Sequence, residues 1–219
     1  MTVGSICILA NIYVRQQRFD QAGPLTEQAL TLCRRLPLEK SVFLAGHLSN
    51  LGWAYLEQGD VARAANLCDL ALQAMRRNPA FNPAEGPQII ASLGAVRLAQ
   101  QNYAEATTLL REGLSLAEKH DLDAGYRFYV MNLLGASLAG QKNYAEAEPL
   151  LLQSCQGLQQ RQASLAPYLN APRRITESLE RLVQLYDAWG KPAQAAEWKQ
   201  KLAAFQQTAK ATEKKGVQP

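Results

Sequence analysis

Apolar residues recur along this chain at helical rather than strand spacing. Ala64, Leu67, Cys68, Ala71 and Leu72 fall at i, i+3, i+4, i+7 and i+8, which is one stripe of a 3.6-residue helix. Ala106, Leu109, Leu110, Gly113 and Leu114 repeat that stripe, and Ala147, Leu150, Leu151, Ser154 and Leu158 carry it again with one polar intruder. A second apolar segment precedes each stripe. The pattern around the first of them predicts a helix from about Val42 to Gln58, a break at Gly59-Asp60, and a second helix from Val61 to about Arg76. Such a pair has an apolar stripe that it cannot bury alone, so neighbouring pairs must stack to close a core.

The pairs repeat in sequence. Leu9-Ala-Asn-Ile-Tyr13 is echoed by Leu51-Gly-Trp-Ala-Tyr55, Leu93-Gly-Ala-Val-Arg97 and Leu134-Gly-Ala-Ser-Leu138, with a degenerate copy at Leu182-Val-Gln-Leu-Tyr186. Phe19, Val61, Tyr103 and Tyr144 stand ten residues after the leucine in the first four copies. Ala22, Ala64, Ala106 and Ala147 follow three residues later, and Ala195 takes that place in the last copy. The alanines are spaced 42, 42, 41 and 48 residues apart. Five repeats follow, at about 3–36, 42–77, 86–120, 124–161 and 171–205, as one array over 3–205 with a polar, flexible tail at 206–219. The expected fold is all-α, an α-solenoid of about ten helices wound as an open right-handed superhelix.

Glycine inside a helix costs about 1 kcal/mol relative to alanine. Gly52, Gly94 and Gly135 sit in the middle of first helices, so something must offset that cost. Close approach of the second helix, with the repeat alanine supplying the other small surface, is the expected compensation. Pro24 and Pro149 share a phase, each two residues after a repeat alanine. They are expected in the opening turns of second helices, where few backbone N–H groups have an intrahelical partner.

Composition narrows the function. Ala, Leu and Gln dominate and β-branched residues are sparse, which favours helix. The net charge of +4 is carried by scattered pairs such as Arg34-Arg35, Arg76-Arg77 and Arg173-Arg174. Nucleic-acid binding calls for a concentrated basic stripe, so no nucleic-acid partner is expected. No apolar run approaches a membrane span, and no signal peptide is visible at the N-terminus. Cys7, Cys33, Cys68 and Cys155 form no C-x-x-C pair and lie among apolar residues, as buried thiols of a reducing compartment do. His47 and His120 have no Cys or His at a metal-ligand spacing. Glu146 and Glu148 point to different sides of a helix and are no acid/base pair. A cytoplasmic protein with no catalytic, metal or cofactor site is expected.

The run Leu51-Gly-x-x-Tyr55 with Gly59-Asp60 and Ala64 resembles the tetratricopeptide repeat. Asn143-Tyr-Ala-Glu-Ala-Glu-Pro-Leu-Leu-Leu152 is similar to its 42-residue, kinesin-light-chain-like subtype. The resemblance covers about residues 3–205 and implies a non-catalytic scaffold that holds a protein or peptide on a concave surface lined by first helices. Carried onto this chain, that surface offers Ser49, Asn50, Trp53 and Glu57 from the second repeat. The third repeat offers Ser92 and Ala95, and the fourth offers Tyr129, Asn132 and Ala136. The subtype's asparagine, just before the first-helix leucine, is matched by Asn50; Ser92 and Leu133 replace it in the next two repeats, with Asn132 one residue early. Residues 130–203 also resemble the repeat region of bacterial, planctomycete-type serine/threonine protein kinases. No kinase motif occurs in this chain, so that resemblance implies at most a regulatory segment.

The first helix is apolar on nearly every side, with Ile6, Ile8 and Ile12 among Cys7, Leu9 and Tyr13. Terminal repeats ordinarily turn a polar face outward. A missing upstream repeat or domain is one expectation, and a partner or self-association surface on this helix is the other.

Overall fold

The structure is a computed structural model that describes residues 2–35, 43–120, 124–164 and 170–216. Ten α-helices follow one another among these residues: α1 (Val3–Arg15), α2 (Phe19–Arg35), α3 (Leu44–Glu57), α4 (Val61–Arg77), α5 (Gly86–Ala99), α6 (Tyr103–Lys119), α7 (Ala124–Gly140), α8 (Tyr144–Gln160), α9 (Ala171–Ala188) and α10 (Pro192–Gly216). A short 3₁₀ turn, Pro83–Glu85, leads into α5. Val42, where the second repeat's first helix is expected to begin, lies outside the described residues. The last helix runs past residue 205 to Gly216, over most of the stretch expected to be a flexible tail.

The chain divides into two compact units, Met1–His120 and Asp121–Pro219. In the first, α1 packs on α2, α3 on α4 and α5 on α6. First helices also lie side by side, α1 against α3 and α3 against α5, while α4 packs on α5. In the second unit α7 pairs with α8 and α9 with α10, α8 packs on α9, and α7 touches α9. The stripe read from α4 is buried throughout. In α8 the polar intruder Ser154 has a use: its Oγ donates 2.7 Å to the Phe128 carbonyl of α7.

The helix-interior glycines are the points of closest approach within a pair. A Cβ on Gly52 would stand 2.6 Å from Cys68 Sγ and 3.2 Å from the Ala64 carbonyl. One on Gly94 would meet Leu110 at 2.7 Å, and one on Gly135 would meet Leu151 at 2.7 Å and the Ala147 carbonyl at 3.3 Å. The partner is therefore not chiefly the repeat alanine, as small-against-small packing suggested. It is the side chain four residues later, received into the notch that the glycine leaves, with the alanine's backbone behind it at Gly52 and Gly135. The reverse also holds: α6 takes Ile90 against Gly113, and α8 takes Phe128 against Gly157.

All five pairs turn the same way. Gln17, Gly59, Gln101, Lys142 and Gly190 have φ of 59°, 83°, 59°, 63° and 72°. The N–H after each donates back to Tyr13, Tyr55, Arg97, Leu138 or Tyr186, and the N–H of the turn residue itself to Val14, Leu56, Leu98, Ala139 or Asp187. This double closure is the Schellman arrangement, which uses carbonyls that the end of the first helix leaves orphaned. Asp60 then caps α4 by accepting from the Arg63 N–H.

Pro24 and Pro149 lie within α2 and α8, beyond the first four donors that lack partners. Each leaves the carbonyl four residues back without its helical donor. Both prolines are exposed, as are Asp20 and Ala145, the residues carrying those carbonyls.

Candidate functional site

Of the expected surface residues, α3 presents three. Asn50 is exposed, and Trp53 and Glu57 are half-buried. At i, i+3 and i+7 they form one row along the helix. Asn50 is the centre of a polar ladder across the first helices. Its carbonyl accepts from Asn11 Nδ2 of α1 at 2.8 Å, and its Oδ1 accepts from Gln88 Nε2 of α5 at 3.1 Å. Asn11 is in turn held by Arg15, whose Nε donates 2.9 Å to its Oδ1. Ile8 and Ile12 of α1 stand beside Asn11, 49% and 46% exposed. An amide ladder flanked by an indole and two aliphatic side chains provides hydrogen-bonding groups for a main chain and contacts for apolar side chains.

Ala136 is half-buried, and the remaining expected residues are committed to packing. Ser49 is buried. Ser92 is buried and its Oγ donates 2.9 Å to the Gln88 carbonyl of its own helix. Ala95 is buried too. In the second unit Asn132 is 1% exposed, donates 2.9 Å to Ser178 Oγ and accepts from Arg181 Nη1. Tyr129 is buried under the Arg174 guanidinium, 4.9 Å from its ring centroid. The sequence phase placed Tyr129 and Asn132 on the open side of their helix, but α9 reaches over and takes them. Ile6 also differs from the apolar surface expected of the first helix, because it is fully buried while Ile8 and Ile12 are not. Asn11 and Gln88 were missed because neither stands at the repeat phase searched for asparagine.

A polar contact recurs between three of the first helices, α3, α5 and α9, and the second helix before each. Tyr55 OH meets Thr26 Oγ1 of α2 at 2.9 Å. Arg97 Nη2 donates 2.5 Å to Asp69 of α4, with Glu105 on its Nε at 2.8 Å. Tyr186 OH donates 2.8 Å to Glu148 of α8. Burial and that carboxylate push the Tyr186 phenol up to about 12. These residues share the phase four after the repeat leucine, so they fix the stacking of one pair on the next.

Two family models, both described as tetratricopeptide repeat, match residues 5–77 and 129–160. Those two segments are tetratricopeptide repeats. No curated protein matches the chain. Among solved structures it is similar to BtubC (BKLC) from P. vanneervenii, at TM-score 0.69 and 20% identity over 99% of this chain and 84% of that one. A P. anserina protein with nearly identical TPR-like repeats of kinesin-light-chain type gives TM-score 0.68 at 18% identity over 96% and 99%. Aspartyl phosphate phosphatase F from Bacillus subtilis gives 0.67 at 14% over 93% of this chain and 50% of that one. At these identities the likeness is one of fold: an all-α tetratricopeptide array of the α-solenoid class.

Proposed function

We propose that the protein is a non-catalytic scaffold that binds a peptide or a segment of a partner protein along the first-helix surface of its first compact unit. The observation that carries this reading is the ladder Asn11–Asn50–Gln88 with Trp53 beside it. Each amide is fixed by a neighbour on another helix, so little side-chain entropy is lost when a ligand adds to the row. Trp53 is the expected anchor, since aromatic side chains in such rows carry a disproportionate share of binding energy.

The test is selection of binding peptides from a displayed library, followed by titration against variants. Trp53→Ala should weaken a selected peptide by about 30-fold or more, the range of a 2 kcal/mol hot spot. Asn50→Ala should weaken it less, because the Asn11 bond uses the Asn50 carbonyl and survives. Equal affinity of wild type and Trp53→Ala would remove the assignment.

The exposed Ile8 and Ile12 support a second reading, association of the chain with itself through α1. Light scattering separates the two: a monomer of constant mass across micromolar concentrations argues against association. The reading as a regulatory segment of a larger kinase rests on the residue resemblance over 130–203 alone.

A further inference from the structure

A first helix that receives the second helix before it buries a fixed set of positions. In α3, α5 and α9 the repeat leucine (Leu51, Leu93, Leu182) is at most 1% exposed, and so is the residue three further on (Ala54, Val96, Leu185). One position later stand Tyr55, Arg97 and Tyr186, which reach Thr26 of α2, Asp69 of α4 and Glu148 of α8.

In α1 the same positions are Leu9, Ile12 and Tyr13. Leu9 and Tyr13 are half-buried, and Ile12 is 46% exposed. The other sides of α1 are taken. Ile6, Ala10 and Val14 are buried in the core, while Gly4 and Asn11 meet His47 and Asn50 of α3. At 100° per residue, Leu9 and Tyr13 fall on the remaining side, and the packed neighbours of α1 are α2 and α3. Polar groups on this face are open too. Among the described residues the Tyr13 hydroxyl makes no hydrogen bond, whereas those of Tyr55 and Tyr186 each make one. Arg18 lies over the Tyr13 ring, 4.6 Å from its centroid, and donates to the neutral Gln16 and Gln21. Among the described residues it forms no ion pair.

We propose that the Leu9–Ile12–Tyr13 face of α1 docks an amphipathic helix of a partner protein, one that carries a carboxylate opposite Tyr13 and Arg18. The occupant is read from the chain's own pairs: the equivalent faces of α5 and α9 are packed by second helices that bring Asp69 and Glu148 to this place. A second copy of the chain fits less well. Its α1 contains no acidic residue. Its α10 turns outward Lys199 and Gln200, four and five residues after the repeat alanine, where α2 has Thr26 and α4 has Asp69. Lysine against Arg18 sets like charge on like. Leu9 and Tyr13 lie on a different side of α1 from Asn11 and the amide ladder, so this surface goes beyond the peptide reading and does not depend on it.

The probe is a synthetic peptide of residues 144–160, the sequence of α8, whose Glu148 already serves a tyrosine at this phase. Isoleucine δ1-methyl resonances of the full chain report where it lands. Ile12 should shift saturably in the high micromolar range, since an isolated helix of 17 residues must order as it binds. Ile175, fully buried in the α9 helix on which α8 packs, should stay in place. A Glu148→Gln peptide should bind about tenfold more weakly, the loss of a hydrogen bond to a charged group. On the chain, Ile12→Asp should abolish binding. Tyr13→Phe combined with Arg18→Gln should keep binding and remove the preference for Glu148 over glutamine. Trp53→Ala should change neither. The proposal is overturned if Ile12 does not shift, if Ile175 shifts instead, or if the glutamine peptide binds equally well. It is also overturned if the chain alone forms dimers that Ile12→Asp dissolves, because the occupant is then a second copy.

Discussion

At the scale of single residues, space around a backbone decides what a glycine is for. Gly135 lies in α7 with Leu151 Cγ and the Ala147 carbonyl in the way of any Cβ. Gly135→Ala gains about 1 kcal/mol of helix propensity but forces two helices apart at a contact where backbone cannot yield, an overpacking cost of about 1–3 kcal/mol. The expected net effect in urea denaturation is a lowered midpoint. Gly23, within α2, has nothing within 4 Å of its would-be Cβ, so Gly23→Ala should add about 0.5–1 kcal/mol of stability and raise the midpoint. Opposite signs from the same chemical change would confirm the notch, and equal signs would refute it. The four cysteines are all buried and free. Burial foremost, with Cys33 beside it, pushes the Cys7 thiol up to about 12, and burial foremost, with Asp69 beside it, does the same at Cys68. A thiol whose folded pKa exceeds its unfolded value of about 8.5 favours the folded state below that value. The associated stability is lost as pH rises from about 9 toward 12. Native protein at pH 8 should therefore react slowly with thiol reagents at all four positions, and its denaturation midpoint should fall between pH 9 and 11.

At the scale of the helix pair, the turn has one geometry and several sequences. Gly59 and Gly190 occupy the left-handed position that glycine enters freely, whereas Gln17, Gln101 and Lys142 hold it with a side chain. An L-residue there costs about 1–2 kcal/mol, so Lys142→Gly and Gln101→Gly should each stabilise the fold by about 0.5–1 kcal/mol. Gly59→Ala should destabilise it by about 1 kcal/mol, through φ alone, because no atom lies within 4 Å of the added Cβ. Thermal melts of the three variants check both signs. The same turns show the limit of reading from sequence. Gly59-Asp60 announces a helix break, but Gln16-Gln17 and Gln141-Lys142 carry no local signal, and only the constant distance to the repeat alanine places them. The helix pairs were legible because apolar spacing is a local property. The fates of Tyr129 and Asn132 were not, because Arg174 covers the one and Ser178 and Arg181 hold the other from α9, far along the chain.

At the scale of the whole molecule, repetition makes stability a sum of helix-pair and nearest-neighbour contributions, and the first compact unit offers a direct test. Its middle pair, α3–α4, is flanked on both sides, α3 by α1 and α5, and α4 by α5. Among the described residues the α1–α2 pair has a packed neighbour on one side, and it carries the exposed Ile8 and Ile12 on the surface of α1. Amides of α3 and α4 should therefore exchange with solvent more slowly than those of α1 and α2, since protection tracks the free energy of the opening that exposes each segment. Leu51 and Ile6 are both fully buried, and truncation to alanine costs about 2–5 kcal/mol at such sites. The consequences differ by position. Ile6→Ala should speed exchange in α1 and α2 while leaving most of the protection in α5 and α6, because the terminal pair can open without its neighbours. Leu51→Ala should speed exchange in all three pairs, because the pair that both neighbours lean on is the one weakened. Hydrogen exchange resolved by mass spectrometry reads both patterns. Uniform loss of protection from Ile6→Ala would mean that the first unit opens as one cooperative block, and the nearest-neighbour account of its stability would fail.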